Sequence, residues 1–132
     1  MDEPLFLTEE QIIALNRRAV EKDGGVHGIL DAGLLSAAAA MPQAGFGGKR
    51  LHESVPAMAA AYLFHLCQAH AFADGNKRTA VLAAAVFLDL NGYDLEADDD
   101  RFEGVVLQLA SHQLGKEQVT QFVEEHAFLR CE

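Results

Sequence analysis

Residues 70–79 read His-Ala-Phe-Ala-Asp-Gly-Asn-Lys-Arg-Thr, placing a histidine, a carboxylate, a glycine, an amide and two cations in one short stretch. His70 is of a type that takes a proton from a hydroxyl near neutral pH. Asp74 offers a hard oxygen, and Mg²⁺ commonly takes one or two carboxylates together with substrate phosphates. Asp74 also suits a plain turn or helix N-cap, and both roles are compatible. Gly75, Asn76, Lys77 and Arg78 open the next apolar segment. Unpaired backbone N–H groups at a helix start, a glycine permitting close approach and two cations would together hold phosphates. Cations at the positive end of a helix otherwise cost about 0.3–1 kcal/mol each. A bound anion reverses that sign; the plain alternative is that both side chains point into water. Asn76 reads either as an N-cap or as a phosphate donor. Phe72 reads as an anchor in the core, and Thr79 as a helix residue without a catalytic task. The other histidines (His27, His52, His65, His112 and His126) have no such company.

The flanking elements must position this stretch. Thr8 and Gln11 form a capping-box pattern before Ile12, Ile13, Leu15, Ala19 and Val20, so a helix starts there and stops at Asp23-Gly24-Gly25. Asp31 caps a short helix through Met41, which Pro42 ends, and the alanine run 37–40 is strongly helix-forming. A loop over residues 42–53 carries Gly45, Gly47, Gly48 and the pair Lys49-Arg50. Ser54 caps the next helix, with Pro56 in its first turn, running to about Ala69. A further helix spans about Asn76 to Leu90 and stops at Asn91-Gly92; its nearly all-round apolar character marks it as the central buried helix. Asp98, Asp99 and Asp100 start a helix ending near Leu114-Gly115, and a last helix covers about Lys116 to Phe128. Few segments alternate as strands do. The expectation is an all-α fold of about six helices.

The chain has 132 residues, half of them hydrophobic, which fits one domain over 1–132. Its formal net charge of −10 repels nucleic acid, so direct DNA or RNA binding is not expected. Cys67 and Cys131 make neither a disulfide framework nor metal-ligand spacing. The acidic start Met1-Asp2-Glu3-Pro4 shows no signal-peptide pattern, and the longest apolar run, residues 80–88, is far below the roughly 20 residues a membrane span needs. The expected location is cytoplasmic, with no membrane contact.

The stretch His70-Ala71-Phe72-Ala73-Asp74-Gly75-Asn76-Lys77-Arg78 resembles the signature of the Fic/Doc superfamily, in the form of its Doc (death on curing) branch. Residues 28–38, Pro42-Gln43, Phe46-Gly47-Gly48 and Leu90-Asn91-Gly92-Tyr93 are also similar to Doc-type sequences. The resemblance implies a six-helix bundle and a toxin of a toxin–antitoxin module. It implies a protein kinase using ATP and Mg²⁺, with His70 as general base, Asp74 as metal ligand, and Gly75, Asn76, Lys77 and Arg78 on the nucleotide phosphates. In adenylylating Fic enzymes the position of Lys77 is glycine; a lysine there goes with transfer of the γ-phosphate. The family's type member acts on a threonine of elongation factor Tu and so stops translation. The implied partner is a Phd-like antitoxin whose C-terminal segment folds into a groove. The loop 45–50 reads as the flap that aligns the target peptide or as an ordinary surface loop. Ala71 stands where many relatives have proline. The self-inhibitory pattern of other Fic proteins is met only by Thr120 and Glu124, with Glu125 where glycine or asparagine is required. A Fic-type adenylyltransferase and a Fic-fold binding module without chemistry are the competing readings.

Overall fold

The helix boundaries follow from caps that the sequence carries. Thr8 accepts the N–H of Gln11, and the Gln11 side chain accepts the N–H of Thr8, opening helix α1 (Glu9–Asp23). Asp31 accepts the N–H of Leu34 at the start of α2 (Ala32–Ala40), and Ser54 accepts that of Ala57 at the start of α3 (Val55–Ala69). Helix α4 spans Asn76–Leu90, α5 Asp99–Ala110 and α6 Lys116–His126. This computed structural model describes residues 3–130; Met1 and Asp2 of the acidic start, and Cys131, lie outside the described residues.

Antiparallel α3 and α4 form the middle of the bundle, with α1 against α4, and α2 and α6 against α3. Of the two, α3 is the more enclosed: Pro56 through Leu63 are all buried, whereas α4 exposes Lys77, Arg78, Ala85 and Asp89. The central helix is therefore α3, with the motif helix as its partner. Small side chains allow this, because Ala59, Ala60, Ala61, Ala80 and Ala83 are fully buried between the helices. Tyr62 and Phe87 fill the centre with ring centroids 5.1 Å apart. No helix among the described residues is long and apolar enough to cross a membrane.

Four local expectations are corrected. Pro42 does not end the second helix by itself; it sits inside a 3-10 turn (Met41–Gln43) that continues the chain from α2. Helix α5 stops at Ala110 rather than near Leu114. His112 adopts a left-handed conformation (φ 64°), and the Gln113 N–H bonds the Gln108 carbonyl, a Schellman-type ending without the usual glycine. Phe128 is not helical: β4 (Ala127–Leu129) pairs antiparallel with β3 (Tyr93–Leu95). Residues 45–50 are a hairpin, β1 (Gly45–Phe46) with β2 (Lys49–Arg50), turning on Gly47 and Gly48, both at positive φ as a two-residue hairpin turn requires.

Candidate functional site

Helix α3 ends on His70, which takes a left-handed conformation (φ 50°, ψ 41°) and is exposed. Residues 71–75 make the turn, and α4 starts at Asn76. His70 and the N-terminus of α4 are thus two ends of one short turn. Left-handed geometry is a common helix ending, and His112 adopts it too, so the conformation aims the side chain without by itself marking catalysis.

The turn is held from several sides. Buried Phe72 anchors it in the core and bridges Ile29. The Ala71 carbonyl accepts the N–H of Leu30 at 2.7 Å, and the Ala73 N–H donates to the Gly28 carbonyl at 2.8 Å. Asn76 clamps the turn on itself: its Oδ1 accepts the Phe72 N–H at 3.0 Å and its Nδ2 donates to the Phe72 carbonyl at 2.9 Å. Its side chain thus shapes the loop, and its backbone N–H is what it presents at the helix start.

Asp74 is exposed, and its Oδ2 accepts the N–H of Val26 at 2.8 Å. Among the described residues Oδ1 has no hydrogen-bond partner, so one carboxylate oxygen remains available. Gly25 packs on this side chain so closely that a Cβ there would lie 3.0 Å from the Asp74 Cβ. Gly75 caps α4 in the left-handed region (φ 78°) without any side-chain cap, leaving the first-turn N–H groups of α4 without partners from their own helix. The close approach that Gly75 permits is to α1: a Cβ would lie 3.2 Å from Asn16 Nδ2 and 3.3 Å from Val20 Cγ2.

Lys77 and Arg78 are exposed on the first turn of α4. Arg78 Nε lies 3.4 Å from Asp23 Oδ2, both side chains about half exposed. Lys77 has no ion pair among the described residues. Both line a groove of about 720 Å³ between α4 and α5, floored by Val81, Leu82, Phe102 and Val106 and flanked by Asp23, Asp99 and Glu103.

The residues present suit Mg²⁺ with a phosphate-bearing partner. No group of three or more His, Cys, Asp or Glu residues suited to a metal occurs among the described residues. One carboxylate oxygen beside an uncapped helix start matches the Mg²⁺ habit of sharing substrate phosphates.

Asn16 belongs to the site although it lies far from the motif in sequence. It is fully buried on α1, and its Nδ2 donates to the Asp74 carbonyl (2.9 Å) and to Thr79 Oγ1 (3.0 Å). Its position carried the signal: Ile12, Asn16, Ala19 and Val20 form the buried stripe of α1, and Asn16 is the polar member. Thr79 and His27, set aside on sequence, both belong to this network. The hairpin 45–50 is rooted elsewhere. Arg50 pairs with Glu3 and lies over the Phe6 ring, which stacks on Phe87 in the C-terminal half of α4. Glu124 accepts a hydrogen bond from Ser54 at the start of α3, about 22 Å of helix from His70, which ends it.

A second cluster lies on the α3–α6 side. Lys116 Nζ donates to His65 Nε2 at 2.9 Å. Burial, then Lys116 and His52, hold the His65 pKa down to about 4. His52 is also pushed below its ordinary value, by burial and then by Lys116. The carbonyls of Pro42 and Met41 pull the other way, yet neither buried ring nitrogen reaches hydrogen-bond geometry.

Fold and site together define a mostly helical protein whose uncapped, cation-bearing helix start sits beside an exposed histidine. The chain belongs to the Fic/DOC family, whose sequence model matches residues 6–88. It is 41% identical over 108 residues to a protein named Toxin Doc from Mycolicibacterium smegmatis, covering 80% of this chain and 81% of that one. It is 33% identical over 86 residues to Protein kinase doc of Escherichia phage P1, covering 65% and 68%.

Proposed function

We propose that this chain, read as one domain over residues 1–132, is the Doc-type toxin of a toxin–antitoxin module. It acts as a cytoplasmic protein kinase that transfers the ATP γ-phosphate to a serine or threonine hydroxyl of a translation factor, elongation factor Tu, and so inhibits translation. The observation that carries this reading is the α4 start: four first-turn N–H groups without a side-chain cap, flanked by Lys77 and Arg78 and joined by one short turn to His70. The names of its relatives, a toxin and a protein kinase, support it.

The chemistry asks for position, a base and charge neutralisation, which is what phosphoryl transfer needs from a protein. His70 takes the target hydroxyl proton. The hydroxyl oxygen forms the new O–P bond as the bond to the β–γ bridging oxygen breaks, and ADP leaves with that electron pair. Lys77, Arg78 and the N–H groups of residues 75–78 hold the phosphates and face the charge that develops. Asp74 would hold Mg²⁺, which when bound would supply further neutralisation of phosphate charge. The hairpin 45–50 presents the target peptide. The inhibitory partner is a Phd-like antitoxin whose C-terminal segment folds into a groove on this chain. Glu124 stands too far from the motif to inhibit it from within, which favours inhibition by a separate partner.

The test is incubation of the chain with Mg²⁺ and γ-labelled ATP in a bacterial lysate, beside the His70→Ala variant. A labelled band at the mass of an elongation factor, absent in the variant, supports the reading, and no label with the wild type defeats it. Label arriving only from α-labelled ATP would establish the adenylyltransferase alternative, against which Lys77 argues. Undiminished toxicity of His70→Ala would establish a binding module.

A further inference from the structure

We propose that Asn16 is a positioning residue for the motif: from the buried stripe of α1, its amide fixes the main chain at Asp74 and the first turn of α4, and so sets where the Asp74 carboxylate meets Mg²⁺. The inference rests on the reading of Asp74 as the metal ligand.

The amide can be oriented without ambiguity. The Asp74 carbonyl can only accept, so the Asn16 atom 2.9 Å from it is Nδ2. The second Nδ2 proton faces Thr79 Oγ1 at 3.0 Å. Oδ1 therefore faces His27 Nδ1 at 2.9 Å, which must carry a proton. The His27 Nε2 lone pair is left toward Arg17 Nη2 at 3.4 Å. A fully buried amide thus makes three hydrogen bonds, and each has a defined direction.

The two acceptors on Nδ2 bracket the anion seat. Asp74 lies just before the cap Gly75, and Thr79 just after the four residues whose N–H groups lack helical partners. Gly75 is the residue in this stretch whose intrinsic backbone freedom is greatest, so its left-handed conformation needs support from outside the turn. Asn16 spans it, bonding Asp74 before and Thr79 after. The Val26 N–H holds Asp74 Oδ2 from the other side. Asp74 is thereby held at its carbonyl and at one carboxylate oxygen, with the second oxygen left in one direction. A leucine would fill the stripe of α1 at less desolvation cost, but could not do this.

The test compares wild type, Asn16→Leu, which keeps volume and loses all three bonds, and Thr79→Val, which loses one. Two readouts are taken: hydrogen exchange of the Ala73 and Thr79 amides, which bond the Gly28 and Gly75 carbonyls, and calorimetric binding of ATP with Mg²⁺ and with EDTA. In Asn16→Leu, exchange of the bonded Ala73 and Thr79 amides should rise, and the Mg²⁺ needed for half-maximal binding should rise about tenfold or more, the usual scale for losing support behind a metal ligand. Binding in EDTA should change less than about twofold. Thr79→Val should shift Mg²⁺ dependence the same way by a smaller factor, and decides the matter should Asn16→Leu not fold. Unchanged Mg²⁺ dependence in the folded variants, or faster exchange with no change in Mg²⁺ dependence, overturns the proposal. If the wild type binds no Mg²⁺–nucleotide, the functional reading itself falls and the proposal with it; if wild type and variants bind alike, only the proposal falls.

Discussion

Arg78 of α4 lies 3.4 Å from Asp23, the last residue of α1. Each charge stands at the unfavourable end of its own helix, a cation at an N-terminus and an anion at a C-terminus. The pair offsets both misplacements, so the cost of Arg78 is partly repaid inside the protein and does not by itself require a ligand. Lys77 has no such partner among the described residues. Lys77 and the uncapped backbone therefore call for an anion more than Arg78 does. Asp23→Asn should leave stability nearly unchanged, within about 1 kcal/mol, since the pair is half exposed. It should tighten nucleotide binding by freeing Arg78, which calorimetric titration reads directly.

His70 and His112 both end a helix in the left-handed region. Glycine adopts that conformation without the Cβ clash, which costs other residues about 1–2 kcal/mol. His112→Gly should raise the denaturation midpoint and leave the proposed phosphoryl transfer intact. His70→Gly should raise it similarly while transfer falls by about 10²-fold or more, the scale of a lost general base. Equal activity in the two variants would remove His70 from the chemistry.

Gly75→Ala should be costly at a position that looks tolerant on a helix start. The new methyl group meets Asn16 Nδ2 and Val20 Cγ2, and the backbone is held at φ 78°. Chemical denaturation should show a loss of roughly 1–3 kcal/mol, with strain and overpacking acting together.

Acid should loosen the α3–α6 side of the bundle. The folded protein holds His65 down to about 4 and His52 below its ordinary value, so the unfolded chain binds more protons as pH falls below about 6.5. The stability these neutral rings provide is complete above that pH and is lost on acidification toward 4. The charged group facing both rings is Lys116, with His52 also facing His65, and these repel a second positive charge. Thermal midpoints between pH 7.5 and 4.5 should fall less steeply in His65→Gln and His52→Phe than in wild type. The second substitution should also stabilise the protein at pH 7.5, because it removes two orphaned buried nitrogens.

The sequence by itself announced six helices and named the candidate site residues. Thr8, Asp31, Ser54 and Asp98 cap the helices that their spacing announces, because a cap is a contact within four residues. His70 through Arg78 are contiguous, so their residue types could be read without knowing the fold. Tertiary structure alone decided what depends on distant segments meeting. The pairing of Tyr93–Leu95 with Ala127–Leu129 joins segments far apart in sequence, and neither is long enough to show alternation. Which helix is most enclosed depended on how many neighbours α3 acquires. Asn76 turned inward to Phe72, and Gly75 proved to face α1. The hold of Asn16 on Asp74 crosses 58 positions of sequence. A polar residue in an apolar stripe announces that it needs a partner, but only the folded chain says which one.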